Sequence, residues 1–372
     1  MTLREMNLRV FRRQLLPRVF FQPRFEPWFA WNRQFATLPE EIRHGDLRQA
    51  YDLLGASMRT VHYYTGQPKP IEWTCTGGLK VTERREGDRM RRRYDTPVGA
   101  LFETERFTVD HTWRTMEFAT KTIDDLPALL WLMEHHRPTF NVEHFMTGAA
   151  YLGDRGVPSF WVPKSPYLAL AQQWMRYEDF VYALADYPRQ MEDIFSVIDE
   201  SYDELYEQLI SSGLLQILNF GENVAAAYLS ARYFERYLLP WYHKRSGQLR
   251  RAGIFTHIHI DGHFRPLLGY LADLPFDGLE ALTPAPQGDV TIDEMHAHLG
   301  DKVLLDGIPA VLFLDHHRPE ELHACVEKLV RLFHPRLVLG VSDELPEGGG
   351  EEAWRRLKWV GEYCRTHGGI GR

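Results

Sequence analysis

Residues 254–272 read IFTHIHIDGHFRPLLGYLA and set the pattern of the second half of the chain. The β-branched stretch Ile254 to Ile260 predicts a strand, and Phe264 to Ala272 predicts the helix that follows it. The other strands predicted in this half are Gln216–Phe220, Gly278–Leu282, Lys302–Leu305 and Arg336–Val341, and the other helices are Ala231–Arg250, Thr291–Leu299, Pro319–Phe333 and Glu351–His367. Five strand–helix units in a row indicate a parallel sheet covered by helices.

The chain length of 372 residues suits one α/β barrel. No glycine-rich phosphate-binding motif follows a predicted strand, which disfavours an open dinucleotide-binding sheet. We therefore predict an α/β fold, a (β/α)8 TIM barrel built as a single domain over residues 1–372, with an N-terminal helical segment and three further units upstream. Residues 71–118 alternate in the manner of strands around glycine-containing turns and predict a β-hairpin insertion within the barrel.

Composition excludes several classes of protein. Hydrophobic residues make up 44% and charged residues 25%, values typical of globular proteins rather than disordered or fibrous ones. A net charge of −8 argues against nucleic-acid binding, and no apolar run approaches the roughly 18 residues that span a membrane. The three cysteines, Cys75, Cys325 and Cys364, lie far apart and predict no disulfide framework. We expect a cytoplasmic protein that begins with an amphipathic helix; a homodimer is compatible with this composition.

Catalytic residues of barrel enzymes lie where strands end and in the loops that follow. His257, His259 and Asp261 follow one another at a spacing of two residues at the end of the strand 254–260, so their side chains share one face. Buried imidazoles and carboxylates need partners. A hydrogen-bonded network that braces the barrel interior would supply them, and so would a metal or an acid–base site; the pattern itself leaves both open.

Other strand ends also carry polar residues. The candidates there are Glu222, Asn223, Glu280, Asp343 and Glu344. Arg24 follows the aromatic run at residues 20–21 and could hold an anionic substrate or form a salt bridge. Glu222, Asp343 and Glu344 serve equally well as functional groups or as loop and helix-capping residues. Glu280 lies inside a strand, where a single acid is either a site residue or a hydrogen-bonded support.

Five stretches of this sequence, taken in order, resemble a known superfamily. They are DTPVGAL at 95–101, KTIDDL at 121–126, YFERYLLP at 233–240, HIDG at 259–262 and GVSD at 340–343. Their order is similar to that of the uroporphyrinogen decarboxylase superfamily, which consists of (β/α)8 barrels and includes corrinoid-linked and cobalamin-independent methyltransferases. The resemblance extends over roughly residues 15 to 368.

This chain departs from the sequence patterns of both branches of the superfamily, the decarboxylases and the methyltransferases. The decarboxylases bind porphyrinogen carboxylates with an N-terminal arginine-containing segment. In this chain only Arg24 could correspond to an arginine of that segment. The methyltransferases bind zinc through His-x-Cys and a later Cys. In this chain His259 matches that histidine, Asp261 stands at the first cysteine, and Ser342 or Asp343 stands at the second. Either the site holds a metal through histidine and carboxylates, with zinc the first candidate, or the same groups act as acids and hydrogen-bond partners.

The resemblance implies a methyltransferase or demethylase component that moves a methyl group from a small, for example methoxylated aromatic, donor to a corrinoid on a partner protein. The catalytic candidates are His259, Asp261, Glu222 and Asp343; the metal candidates are His257, His259, Asp261 and Glu280; the substrate-binding candidates are Arg24, Trp28, Asn223, Phe220 and Phe264. The alternatives are a decarboxylase of a uroporphyrinogen-like or smaller carboxylic acid, and a barrel without catalytic activity.

Overall fold

A computed structural model describes residues 1–110, 112–227 and 229–368. The chain divides into two compact units. The parallel-sheet unit contains Met1–Pro70, Val142–Val162 and the described part of Leu215–Arg372. The hairpin unit contains Ile71–Asn141 and Pro163–Leu214, so the predicted β-hairpin insertion at 71–118 lies entirely within it.

Strands and helices are numbered in chain order. The strands are β1 Phe20–Phe21, β2 Ile71–Cys75, β3 Lys80–Glu86, β4 Arg89–Thr96, β5 Gly99–Phe107, β6 Trp113–Glu117, β7 His136–Phe140, β8 Trp161–Val162, β9 Ile217–Val224, β10 Phe255–Ile260, β11 Gly278–Glu280, β12 Val303–Pro309 and β13 Leu337–Ser342. The α-helices are α1 Leu3–Phe11, α2 Glu26–Gln34, α3 Leu47–Leu54, α4 Leu126–His135, α5 Val142–Leu152, α6 Pro166–Ala169, α7 Tyr177–Asp186, α8 Pro188–Ser201, α9 Asp203–Ser211, α10 Ala231–Tyr233, α11 Leu239–Arg251, α12 Ile292–His298, α13 Pro319–Phe333 and α14 Gly350–Thr366. The π-helical segments are Leu170–Trp174 and Phe234–Leu238, and the 3₁₀ helices are Glu40–Ile42, Ile123–Asp125, Gly153–Arg155, Arg265–Tyr270, Ala310–Phe313 and Glu347–Gly349.

The parallel-sheet unit is built on one sheet. Within the described residues its order is β1-β13-β12-β11-β10-β9-β8, and every neighbouring pair of these seven strands is parallel. Helix α11 packs on β10, and α13 packs on β12 and β13. This is the parallel α/β sheet that the strand–helix repeat predicted.

Residues 57–61 run beside both edge strands of this sheet. The backbone N–H of Ser57 donates to the carbonyl of Phe21 in β1 over 2.8 Å, and the N–H of Val61 donates to the carbonyl of Ser159, just before β8, over 3.0 Å. Thr60 and Ser159 form an isolated parallel bridge. Seven strands are assigned to the sheet across the described ranges, so the eight-stranded closure remains a prediction.

Helix α1 covers the amino-terminal ends of the strands. Thr2 caps it, with Glu5 completing a capping box, and this starts the helix at Leu3. Its apolar residues Met6, Val10 and Phe11 form a buried cluster with residues from the first half of each contributing strand, namely Phe20, Ile217, Val303, Leu305 and Val338. With this end of the sheet packed by α1, the carboxyl-terminal ends are left for a site.

Two predicted helices differ from the observed ones. The segment predicted as a helix over Phe264–Ala272 is a 3₁₀ helix over Arg265–Tyr270. The predicted helix Ala231–Arg250 is divided, because α10 leads through the π-helical segment Phe234–Leu238 into α11. Pro240, which cannot donate a backbone hydrogen bond, lies in the first turn of α11 directly after that segment.

The hairpin unit has an antiparallel core. Strands β3, β4, β5 and β6 form a four-stranded sheet in that order, as the alternation over residues 71–118 predicted. Strand β2 instead pairs with β7, whose sequence lies beyond the predicted insertion. Helix α4 packs on β4, β5 and α8 and covers part of the sheet.

We predict that Gly340→Ala destabilises the parallel-sheet unit. A Cβ at this position in β13 would lie 2.6 Å from the carbonyl oxygen of Gln22 and 2.7 Å from Oδ1 of Asp306. Overpacking of this kind costs about 1–3 kcal/mol, which urea unfolding measures directly. Gly269→Ala is the control, because a Cβ there meets nothing within 4 Å. Equal stability of the two variants would contradict the prediction.

Candidate functional site

The ends of the parallel strands converge on a buried arginine, Arg59. Its Nη2 lies 2.7 Å from Oδ1 of Asp306 at β12, and its Nη1 lies 2.6 Å from Oε1 of Glu280 at the end of β11. The Arg59 Nε donates to Oε1 of Gln22 over 2.8 Å. Gln22 in turn donates to Ser57 Oγ over 2.9 Å, which fixes the segment that carries Arg59. Arg59, Glu280 and Asp306 are all buried.

A second arginine, Arg24, lies on the same carboxylate. Its Nη1 is 3.4 Å from Oε1 of Glu280, and its Nη2 is 3.0 Å from Oε1 of Glu344, which follows β13. The hydroxyl of Tyr63 also donates to this Glu344 oxygen. Arg24 is therefore held by two acids rather than exposed to solvent, and it is 7% accessible.

The two central carboxylates have opposite pKa shifts. Burial alone would raise the pKa of Glu280, but the positive charge of Arg59 is the largest opposing effect, and this pKa is held well below its usual value. The side-chain amide of Asn219 also donates to Oε2 of Glu280. Burial raises the pKa of Asp306, and the negative charge of Glu280 adds to the effect of burial against the opposing effect of Arg59. Glu280 is thus the permanent negative charge of the site.

His257 lies in β10, further from the carboxyl-terminal end of the strand than His259. Its Nδ1 is 3.0 Å from Oε2 of Glu280, but the N–H is not aligned with that oxygen, and this nitrogen has no hydrogen-bond partner among the described residues. The ring packs against Phe11 of α1 at 6.2 Å between centroids. Burial lowers the pKa of His257, and the nearby Arg59 acts in the same direction. His257 is therefore a neutral ring beside Glu280.

His259 lies two residues nearer the strand end and has the opposite charge state. Its Nε2 is buried without a hydrogen-bond partner among the described side chains, with Oδ1 of Asp261 at 3.3 Å and Oδ1 of Asp343 at 3.8 Å. Burial lowers the pKa, but Asp261 and Glu280 outweigh burial and raise it to about 9. His259 is thus an imidazolium at neutral pH with an unaligned N–H between two acids.

Backbone strain accumulates at the same strand ends. Asn223, Ala281, Asp306 and Asp343 have φ values of 54°, 60°, 74° and 65°, which non-glycine residues rarely adopt. Strict alternation along β12 would place Asp306 on the face opposite to Leu305, which belongs to the inner cluster with Val338. The left-handed backbone turns Asp306 inward to Arg59. Such strain is frequent at functional sites.

The structure brings several predicted residues together. His257, His259, Asp261, Glu280, Asp343 and Arg24 form one cluster at the ends of β10, β11, β13 and β1. Their assigned catalytic, metal and substrate roles stay predictions. The spatial convergence follows from the parallel register, in which His259 is paired with Glu280.

Other predicted site residues lie in the core. Oε2 of Glu222 accepts a hydrogen bond of 2.9 Å from Tyr242 of α11, so this carboxylate faces the helix layer. Trp28 stacks on Trp354 at 5.9 Å, and Phe220 packs edge-on against Trp241 and Phe276; Trp28, Phe220 and Phe264 are all 0% accessible. Complete burial leaves these three rings no surface for a substrate, so packing accounts for them. Asn223 is exposed.

The predicted metal ligands are not arranged as a metal site. In the part of the chain that the structure describes, no group of three or more His, Cys, Asp and Glu side chains is placed to hold a metal ion. His257 and Glu280 lie against Arg59, whose positive charge opposes a cation at that place. His259, Asp261 and Asp343 remain at the mouth of the cluster.

Arg59, Asp306 and Tyr63 were not among the predicted site residues. Arg59 lies in the short stretch Ala56 to Val61, which follows α3, mixes polar and apolar residues and has no strand–helix pattern of its own. Its role becomes visible only with its burial, since buried guanidinium groups need carboxylate partners. Asp306 directly follows the predicted strand Lys302–Leu305, and this position at a strand end is the signal that could have identified it.

Comparison with known proteins identifies a similar fold. No protein-family profile matches the chain, and no curated protein sequence matches it. Among solved structures, a methyltransferase from Methanosarcina mazei is similar, with a TM-score of 0.57 and 13% sequence identity over 97% of this chain and 98% of that one. At this identity the similarity establishes the α/β fold over nearly the whole chain, and the activity must be argued from the site.

No helix among the described residues is long and apolar enough to cross a membrane.

We predict that Arg59→Met strongly destabilises the protein. The substitution leaves the buried carboxylates of Glu280 and Asp306 without their main partner, a change that costs about 3–5 kcal/mol. Arg59→Lys retains the charge but cannot contact both carboxylates as the guanidinium does. Its free energy of unfolding should therefore lie between those of wild type and Arg59→Met. Arg355→Met, which breaks an exposed pair with Glu352, is the control and should cost less than about 1 kcal/mol. Comparable losses for Arg59→Met and Arg355→Met in urea unfolding would argue against this role of Arg59.

We predict a specific pH dependence of stability from His259. Its folded pKa of about 9 exceeds the ordinary value of 6.5, so protonation stabilises the fold fully below pH 6.5 and this contribution disappears as pH rises through 9. The difference corresponds to up to about 3 kcal/mol. The free energy of unfolding of wild type minus that of His259→Gln should therefore fall between pH 6 and pH 10. A difference that is flat over this range would show that His259 titrates normally.

Proposed function

We propose that the chain is a methyltransferase component that transfers a methyl group from a small donor to a corrinoid carried by a partner protein. The fold shared with a methyltransferase is compatible with this activity. The observation that carries the proposal is the position of His259, whose buried Nε2 lies between Oδ1 of Asp261 and Oδ1 of Asp343 and has no hydrogen-bond partner in the described structure. A bracing network would have satisfied this nitrogen, whereas a proton donor needs it available to a substrate.

His259 would act on the leaving group of the donor. In an aryl methyl ether the bond between carbon and oxygen breaks with its electron pair left on oxygen, and the methyl carbon bonds to the acceptor. The oxygen then takes the proton from Nε2, so that a neutral phenol leaves and His259 becomes neutral. The corrinoid supplies the nucleophilic electron pair when it is bound. A pKa of about 9 keeps the acid form of His259 dominant at neutral pH.

Asp261 and Asp343 would restore the proton. The Asp261 and Asp343 side chains are 30% and 56% exposed, and each has a carboxylate oxygen within 4 Å of Nε2. They connect the buried imidazole to solvent and stabilise its charged form. Arg24 and Arg59 form ion pairs with Glu280 and keep it ionised. The ionised Glu280 lies beside the His259 ring and stabilises its charged form. These three are positioning residues in this proposal.

Zinc does not fit the predicted four-residue set. Two of its members, His257 and Glu280, are already beside Arg59, and the side chains are not arranged around a common point. The proposed reaction therefore runs through the proton of His259. The corrinoid enters as a co-substrate on the partner protein.

We also propose that residues 57–61 complete an eight-stranded barrel around this site. Their hydrogen bonds to Phe21 and Ser159 on either side support the proposal. Closure would keep Arg59 inside, at the same level as Glu280.

Decarboxylation of a carboxylic acid is less well supported. Such a reaction would need cationic groups free to bind substrate carboxylates. The two arginines of this cluster are already paired with acids, Arg59 with Asp306 and Glu280, and Arg24 with Glu344. The exposed acids Asp261 and Asp343 add negative charge at the mouth of the cluster.

The test is methyl transfer to cobalamin reduced to Co(I), followed by absorbance, with a panel of methoxylated aromatic and methylated amine donors. We expect wild type to form the methylated corrinoid and His259→Gln to be slower by at least about 100-fold, the usual contribution of a general acid. The wild-type rate should fall as pH rises through about 9, where His259 loses its proton. His316→Gln, at an exposed histidine, should change neither result.

Three outcomes would contradict the proposal. Wild type could form no methylated corrinoid with any donor, which would remove the activity itself. His259→Gln could match wild type, which would remove the proton donor. Purified protein could contain about one zinc per chain and lose activity with a chelator, which would show that the mouth of the cluster binds a metal after all.

A further inference from the structure

A cavity of about 510 Å³ lies within the hairpin unit, apart from the residues used above. One wall is a face of the four-stranded sheet. There Val81 pairs with Tyr94, Glu83 pairs with Arg92, and Arg92 pairs with Glu103, so these side chains project from the same side. The other wall is formed by Trp73 of β2, His136 of β7 and Trp174 at the end of the π-helical segment Leu170–Trp174. Such π-helical turns occur frequently at functional sites.

Four aromatic rings line this cavity in different planes. Trp73 stacks on His136, with 4.9 Å between centroids and 22° between planes. Trp174 stands nearly perpendicular to His136, at 86°, and is tilted by 63° from Tyr94. The lining therefore contains aromatic rings in more than one plane, and aromatic rings are the groups that hold alkylated ammonium ions in proteins.

The charges on the lining are unequal. Arg92 is the centre of an ion-pair network, with Nε 2.6 Å from Glu83 Oε1, Nη1 2.6 Å from Glu105 Oε2 and the same Nη1 3.4 Å from Glu103 Oε2. Three carboxylates thus share one guanidinium. Tyr94 donates a hydrogen bond of 3.0 Å to Glu103 and adds no positive charge.

His136, which also lines the cavity, adds no positive charge to offset the excess of acidic side chains. Burial lowers the pKa of His136 to about 4, so the ring is neutral at pH 7. Its Nδ1 is buried and has no hydrogen-bond partner among the described residues. The cavity therefore combines aromatic walls, an excess of acidic side chains and one polar position in the wall that no described protein group satisfies.

We propose that this cavity binds a small organic cation through an alkylated ammonium group. Methyl groups around a positive nitrogen suit the aromatic rings of Trp73, Trp174 and Tyr94, while the charge is attracted by the rings and by the three acids that share the single charge of Arg92. A carboxylate or phosphate ligand would meet three acids and one committed arginine. A hydrated metal ion would gain nothing from the indole faces. This binding site is independent of the methyl transfer proposed for the parallel-sheet unit, so either proposal can fail without the other.

Calorimetric titration of the full chain at low salt tests the proposal, with choline chloride as the probe. The uncharged analogue 3,3-dimethylbutan-1-ol has the same shape and is the matched ligand control. We expect choline to saturate with a Kd of about 10 mM or tighter and the analogue to bind at least about fivefold more weakly. Equal affinity for the two ligands, or no saturation by choline, would overturn the proposal.

Two variants and two controls test the location. Trp174→Leu removes an aromatic wall and Glu105→Gln removes one charge with little change of shape; each should weaken choline binding at least about fivefold. Trp113→Leu and Glu117→Gln alter the same sheet outside the cavity lining and should leave the affinity within about twofold. Thermal unfolding shows which variants are folded, and Glu105→Gln remains informative if Trp174→Leu is not. Equal losses in variants and controls would also overturn the proposal.

Discussion

The guanidinium of Arg59 is held between the carboxylates of Glu280 and Asp306 inside the parallel-sheet unit, and the other polar groups at the strand ends are arranged around this contact. A buried carboxylate is stable only with a partner of opposite charge and with its remaining oxygen positions bonded. Arg59 supplies the charge, and Asn219 and Arg24 fill the other positions on Glu280. Without Arg59, both acids would be protonated or would have to be reached by water.

This arrangement explains how two histidines on one strand differ in charge. His257 and His259 are both buried and both lie near Glu280. His257 is deep, close to Arg59, and is neutral because burial and the arginine act together. His259 is two residues further along, where Asp261 and Glu280 outweigh burial and raise its pKa to about 9. His257 is thus neutral, whereas His259 carries a proton that it could donate, as an acid catalyst must.

Much of the parallel-sheet unit was predictable because local patterns and the tertiary fold agree there. The predicted helix Pro319–Phe333 matches α13 at both ends, and the helix predicted to begin at Thr291 is capped there by a capping box of Thr291 and Glu294. Where local and tertiary preferences compete, prediction was less complete. Strand β2 pairs with the distant β7, a partner that alternation within residues 71–118 does not specify. The aromatic rings of Trp28 and Phe220 were assigned to substrate, but aromatic side chains also fill cores, and burial decides between the two.

The sequence by itself determined which residues stand at the ends of the parallel strands, since a period of two places His257, His259 and Asp261 on one face and a parallel register brings Glu280 beside them. Only the tertiary structure decided how these groups are charged. Arg59 comes from an unpatterned segment 221 residues away from Glu280, and Asp306 faces it only because its backbone adopts a left-handed conformation. A protonation state depends on burial and on the sum of nearby charges in space, and neither quantity can be read from the spacing of residues along a chain.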